Sequence, residues 1–199
     1  METVKDDIEV YDPINTSDGV YYSKVMLKNS EISIQLDKTK LILNKPKNKA
    51  KINVTDKISD FIKNVSKAVI SITSEKSKHF FGKEITVEDC ETLYKEAVVD
   101  NNLHCFFDED TYFYKSKGDK INLEDLEDEL NGIALLKCSA IVYTKHSFFI
   151  RWEISQFKMK REKEDTTILQ EYSIKDLPEH DLPIDGDPLV KKLQEISLF

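Results

Sequence analysis

Residues 133 to 160, IALLKCSAIVYTKHSFFIRWEISQFKMK, set the strongest limit on what this chain can become. Two runs rich in β-branched and aromatic residues flank the polar stretch Thr144 to Ser147, the pattern of two long strands joined by a short connection. In the second run Phe148, Ile150, Trp152 and Ile154 fall on one side of the two-residue period. Phe149, Arg151, Glu153, Ser155 and Phe157 fall on the other. The first set is expected to be core, so this hairpin has to lie against further apolar structure.

Other segments supply it. Val20 to Leu27, Glu31 to Leu36 and Lys40 to Leu43 read as short strands, separated by the turn signals Asn29-Ser30 and Asp37-Lys38. Ala50 to Val54 resumes a strand pattern, and Leu103 to Phe107 and Thr111 to Lys115 read as two more, joined by the acidic turn Asp108-Glu109-Asp110. Between them the period lengthens. Thr55 is placed to cap a helix in which Ile58, Phe61, Ile62, Val65, Val69 and Ile72 recur every three or four residues. Thr86 caps a second helix bearing Val87, Cys90, Leu93, Tyr94 and Ala97, and Asn122 to Leu130 predicts a short acidic helix stopped by Asn131-Gly132. The reading is α+β, with one domain over residues 19–163. Residues 1–18 are acidic, interrupted by Pro13, and expected to form a loose, flexible arm. Residues 164–199 begin as an acidic linker punctuated by Pro178, Pro183 and Pro188. They end in a predicted amphipathic helix whose Leu189, Val190, Leu193, Ile196 and Phe199 share a face.

Catalytic readings find little support. The five glycines are isolated, so no glycine-rich loop is available to cradle phosphates. His79, His104, His146 and His180 have no metal-ligand spacing with one another or with Cys90, Cys105 and Cys138. The three cysteines are read as reduced, mostly buried thiols. Asp108 to Asp110 reads as an exposed turn rather than a cation loop. No catalytic residue, metal ligand or cofactor is therefore expected. No apolar run approaches the length of a membrane span, and the N-terminus lacks a secretory pattern, so a cytosolic or nuclear compartment without membrane contact is expected.

Charge points elsewhere. The formal net charge is -8, yet residues 38 to 83 hold twelve lysines against Asp56, Asp60 and Glu75, while both ends are acidic. A basic body with acidic ends suits a polyanion ligand. If Lys45 to Lys51 is extended, Lys45, Lys47, Lys49 and Lys51 line one edge about 6 to 7 Å apart, with Pro46 marking the edge as unpaired. Lys40 precedes them, and Arg151, Lys158 and Lys160 would extend the track. Tyr112, Tyr114, Phe149 and Phe157 are candidates for base stacking, Phe149 and Phe157 being equally suited to a second packing layer.

Three phrases, TKLILNKPKN, KINVTDKISDFIKNVSKAV and LEDELNGIALLKCSAIVYTKHSFFIRWEISQFKMKRE, appear in order between residues 21 and 163. In this the chain resembles the single-stranded DNA-binding proteins of large cytoplasmic DNA viruses, particularly the poxvirus phosphoprotein type. The resemblance implies an OB-like antiparallel β-barrel with inserted helices, binding single-stranded DNA without sequence preference in viral replication, recombination or repair, in the host cytoplasm. It also implies an acidic C-terminal tail that regulates access to the DNA groove and recruits replication proteins. Here Lys191 and Lys192 depart from a purely acidic tail and favour docking of the terminal helix through Leu189, Leu193, Ile196 and Phe199. A homo-oligomer is left open. The alternative is a non-catalytic viral adaptor or structural protein acting through that helix, and a weaker one is a magnesium-dependent nuclease.

Overall fold

The computed structural model describes residues 4–16, 19–116 and 119–160. A 3-10 turn at Val4–Asp7 leads into β1 (Ile8–Val10), β2 (Ile14–Thr16), β3 (Val20–Ser23), β4 (Val25–Leu27) and β5 (Ser33–Asn44). After a 3-10 turn at Lys45–Lys47 come β6 (Lys49–Asn53) and the helices α1 (Asp56–Glu75), α2 (Ser77–Phe81) and α3 (Val87–Leu93). Then follow β7 (Val98–Val99), β8 (Asn102–Phe106), β9 (Tyr112–Ser116) and β10 (Asp119–Ile121). A last 3-10 turn at Leu123–Asp125 precedes β11 (Glu129–Tyr143) and β12 (Phe148–Met159).

Among the described residues one large, mostly antiparallel sheet runs in the order β10-β9-β12-β8-β6-β5-β11-β3-β2, with β7 paired to β8, while β1 and β4 pair separately. Because β11 also pairs along the length of β12, strands β5, β6, β8, β12 and β11 close into a ring. It is not a regular barrel. β8 meets β12 through a single parallel bridge, Phe106 to Glu153, and β9 takes over that edge of β12 from Gln156 onward. β8 and β9 therefore run one after the other along β12 instead of forming a hairpin about Asp108 to Asp110. That turn is closed by the Asp108 carboxylate, which accepts from the Asp110 amide at 3.0 Å.

The ring interior is filled by alternate residues of its strands, among them Leu41, Leu43, Ala50, Ile52, Leu103, Cys105, Leu136, Ile150, Trp152 and Ile154. Helix α1 begins where Thr55 accepts from the Ile58 amide, and it adds Phe61, Ile62, Val65, Val69 and Ile72 to the same core. Its polar positions are tied down as well: Ser66 bonds the Tyr94 hydroxyl at 2.7 Å and Thr73 the Tyr143 hydroxyl at 3.1 Å. Thr86 caps α3 by accepting from the Asp89 amide. Cys90, Cys105 and Cys138 are free and buried. No described helix is long and apolar enough to cross a membrane.

Several sequence expectations change. Residues 4–16 are not a loose arm: β1 pairs with β4, Ile8 and Val10 are core, and Lys76 Nζ donates to the Val10 carbonyl at 2.8 Å. Of the expected strands Glu31 to Leu36 and Lys40 to Leu43, the residues from Ser33 onward belong to one strand, β5. The Asp37-Lys38 signal is a bulge inside it, with Lys38 at φ 52° where the register against β11 shifts. The basic segment is not an extended edge. Pro46 sits in the 3-10 turn, Asn48 adopts φ 51°, and β6 lies between β5 and β8. The proline's missing donor thus falls in a turn, where no ladder bond is needed. Asn122 to Leu130 forms a 3-10 turn followed by strand instead of a helix, because pairing Leu130 with Leu41 buries both side chains.

Candidate nucleic-acid interface

The two-residue period of β6 and β8 separates core from surface. Ala50, Ile52, Leu103 and Cys105 point inward, leaving Lys49, Lys51, His104 and Phe106 on the outer face. The antiparallel register sets Lys49 against Phe106 and Lys51 against His104. From the neighbouring β12 come Phe149, Arg151 and Glu153. Phe106 is the centre of this face. Its ring stacks with Phe149 at 6.2 Å between centroids and 21° between planes. The Arg151 guanidinium lies over it at 4.5 Å, and Lys49 Nζ lies over it at 5.5 Å. Such contacts follow from the negative face of an aromatic ring.

Electrostatics on this face are uneven. Glu153 is balanced by Arg151 Nε at 2.5 Å and Lys137 Nζ at 3.4 Å. Partial burial, with the ammonium groups of Lys51 and Lys49, holds the His104 ring below the ordinary histidine pKa. Lys49 and Lys51 are exposed, and a phosphate beside them would relieve that repulsion.

The remaining candidates divide. Tyr112 is 43% exposed with Lys120 Nζ 4.4 Å above its ring. It pairs with Gln156, three residues beyond Glu153, so it lies roughly 10 Å further along β12. Lys47 and Lys160 are exposed. Lys40 pairs with Glu129 at 2.7 Å, and Lys45 donates to the Leu126 carbonyl and faces Asp128 at 3.8 Å, so nearby acids already occupy both. Phe157, Tyr114 and Lys158 do not belong to an open face, being 0%, 2% and 7% exposed. Ser155 is the cause for Phe157. It has no Cα partner across the shift in register between β11 and β12, and this bulge turns Phe157 back into the core beside Ile154 and Phe113. Burying a phenylalanine is worth about 1.5 to 3 kcal/mol, enough to fix that choice. Tyr114 does share the side of β9 that Tyr112 occupies, but Ile133 and Leu135 cover it. Leu189, Leu193, Ile196 and Phe199 lie outside the described residues.

Phe106, His104, Lys137 and Lys120 were missed by the sequence reading. For the first two a signal exists: in LHCFF, alternation with Leu103, Cys105 and Phe107 in the core sends His104 and Phe106 outward. Nothing local marks Lys137 or Lys120, whose roles arise from pairing across strands.

Fold and face together define a mixed α+β domain built on a five-strand ring, with a basic aromatic surface over two of its strands. The chain belongs to DUF5871, a family of unknown function, whose model matches residues 37–176. That span begins within β5 and takes in the rest of the ring, while β1 to β4 lie before it. No curated protein and no solved structure matches the chain.

Proposed function

We propose that this protein is a non-catalytic single-stranded DNA-binding protein that holds the strand without reading its sequence. In keeping with the resemblance carried by its sequence, we place it in viral replication, recombination or repair in the host cytoplasm. The observation that carries the reading is Phe106, flanked by Phe149, Arg151 and Lys49 on an outer face where Lys51 stands one step along the same strand. Single strands need cations for phosphates and flat groups for bases, and this face offers both within one patch.

The ring supports an OB-like reading. In chain order its strands are β5, β6, β8, β11 and β12, and around the ring they run first, second, third, fifth, fourth. That is a Greek-key order with one parallel contact. OB-folds take oligonucleotides on the face of the second and third strands and on the loops after the first and fourth. The corresponding elements here are β6 and β8, the turn with Lys45 and Lys47, and the β11–β12 connection with Lys145. The insertion of α1 to α3 between the second and third strands departs from the simplest form of that fold.

Anisotropy titration of a labelled mixed-sequence single strand at two salt concentrations tests this. Binding should weaken linearly with log salt, and Lys49→Ala with Lys51→Ala should reduce the slope by roughly 1.4, two phosphate contacts at about 0.7 each. Absence of binding, or binding indifferent to salt, would overturn the proposal.

A further inference from the structure

Glu153 is a carboxylate in the middle of a basic face. It is 9% exposed, and it meets Phe106 across the single bridge that joins β8 to β12. Its two oxygens are divided between cations: one accepts from Arg151 Nε at 2.5 Å, and the other faces Lys137 Nζ at 3.4 Å from the directly opposed position on β11. A buried carboxylate left alone would be costly, and the two cations remove that cost. The arrangement also acts on Arg151. An arginine on a sheet surface is long and adaptable, yet here Nε is committed to Glu153 while the guanidinium centre sits over Phe106.

We propose that Glu153 is the positioning residue of the nucleic-acid face: it fixes Arg151 over Phe106, so that the guanidinium is the surface on which an unpaired base stacks. This rests on the reading that the face binds a single strand, and it deepens that reading in one respect. The ligand must offer base faces, so the site selects unstacked single strands over duplex, whose base faces are hidden. Lys137 takes the oxygen that Arg151 leaves and keeps Glu153 compensated.

A rival account makes Glu153 only a negative charge in a positive field. The two accounts predict opposite signs. On the rival account Glu153→Leu raises the positive charge of the face and tightens binding at low salt. On ours it weakens binding about fivefold to tenfold, the lower end for one stacking contact, with the salt slope unchanged.

The experiment titrates the full chain with a mixed-sequence single strand carrying one fluorescent adenine analogue whose emission is quenched by stacking. Glu153→Leu should lose affinity and the quench together. Glu153→Gln, which keeps an oxygen to accept from Arg151 Nε, should recover most of both. Arg151→Lys retains the charge without Nε or the planar group, so it should lose the quench at an unchanged salt slope. It also decides the matter if the leucine variant does not fold. Unaltered quenching in Glu153→Leu or in Arg151→Lys overturns this inference alone. No binding by the unaltered chain overturns the reading of the face, and this inference with it.

Discussion

Phe106 and His104 are neighbours in β8 by one step of alternation, and they answer to different forces. Phe106 contributes area and polarisability. Phe106→Ala should weaken single-strand binding by about 1 to 3 kcal/mol without changing the number of phosphate contacts, so affinity falls while the salt slope stays constant. Parallel chemical denaturation separates this from weakened packing against Phe149. His104 contributes a titration. Burial, Lys51 and Lys49 hold its folded pKa below the unfolded value, so the unfolded chain takes up the proton first. Stability is therefore full above the ordinary histidine range, falls as pH drops through it, and levels off below the folded pKa. Strand binding to the proposed face should have the opposite trend. Phosphates beside Lys49 and Lys51 remove the repulsion and let the ring charge, so affinity should rise between about pH 8 and pH 6. His104→Gln should flatten both profiles, read by urea midpoints and by anisotropy across that range.

Longer segments show what a single sequence reveals and what it conceals. The β11–β12 hairpin, α1 with its Thr55 cap and the start of α3 at its Thr86 cap were legible, because each announces itself by a period and a terminal signal within one window, although α3 ends at Leu93, short of the expected Tyr94 and Ala97. The Ser155 bulge was not. It inserts one residue into an otherwise strict alternation, and only the partner strand reveals that Phe157 and Ile154 face the same way. The basic turn misled for a related reason: a lysine at every second position looks like an extended edge, yet Asn48 at φ 51° reverses the chain after Lys47. Of the face itself, Lys49, Lys51, Phe149 and Arg151 could be named in advance, whereas Lys137 and Glu153 acquire meaning only from pairing. Gly132 is another product of pairing. A Cβ there would collide with the Lys158 carbonyl oxygen and stand 2.9 Å from the Phe157 ring, so β11 and β12 can close at this end only over a glycine. Gly132→Ala should cost about 3 kcal/mol, near the upper end for overpacking. Gly82→Ala, where the strain is only that of φ 72° and the space is open, should cost about 1 kcal/mol. Urea denaturation of the two variants measures the contrast, and equal costs would mean that the strands separate easily at Gly132.

Across the entire chain the decisive quantity is where charge of each sign resides. Residues 1 to 20 hold six acids and one lysine, and residues 165 to 199 hold eight acids and three lysines, so the body between them is slightly basic in an acidic protein. Within that body Glu129 and Asp128 already occupy Lys40 and Lys45, which leaves Lys47, Lys49 and Lys51 exposed along the turn and β6. A strand approaching them therefore competes with acids on its own side of the ring and with the mobile counter-charge of the solvent. The five net negative charges of residues 165–199 add to that opposition over distances set by screening, about 8 Å at physiological ionic strength. Ending the chain at residue 164 should thus raise single-strand affinity roughly threefold to tenfold at low salt, mainly through a faster association rate, as long-range fields act on encounter. The advantage should shrink as salt rises, because on the proposed reading both chains would bind the strand through the same residues of the face. Stopped-flow association of labelled oligonucleotide with both chains, at low and high salt, reads each of these effects. A truncated chain that binds more weakly, or one whose advantage persists at high salt, would instead assign residues 165–199 a direct part in touching the strand or in shaping the face.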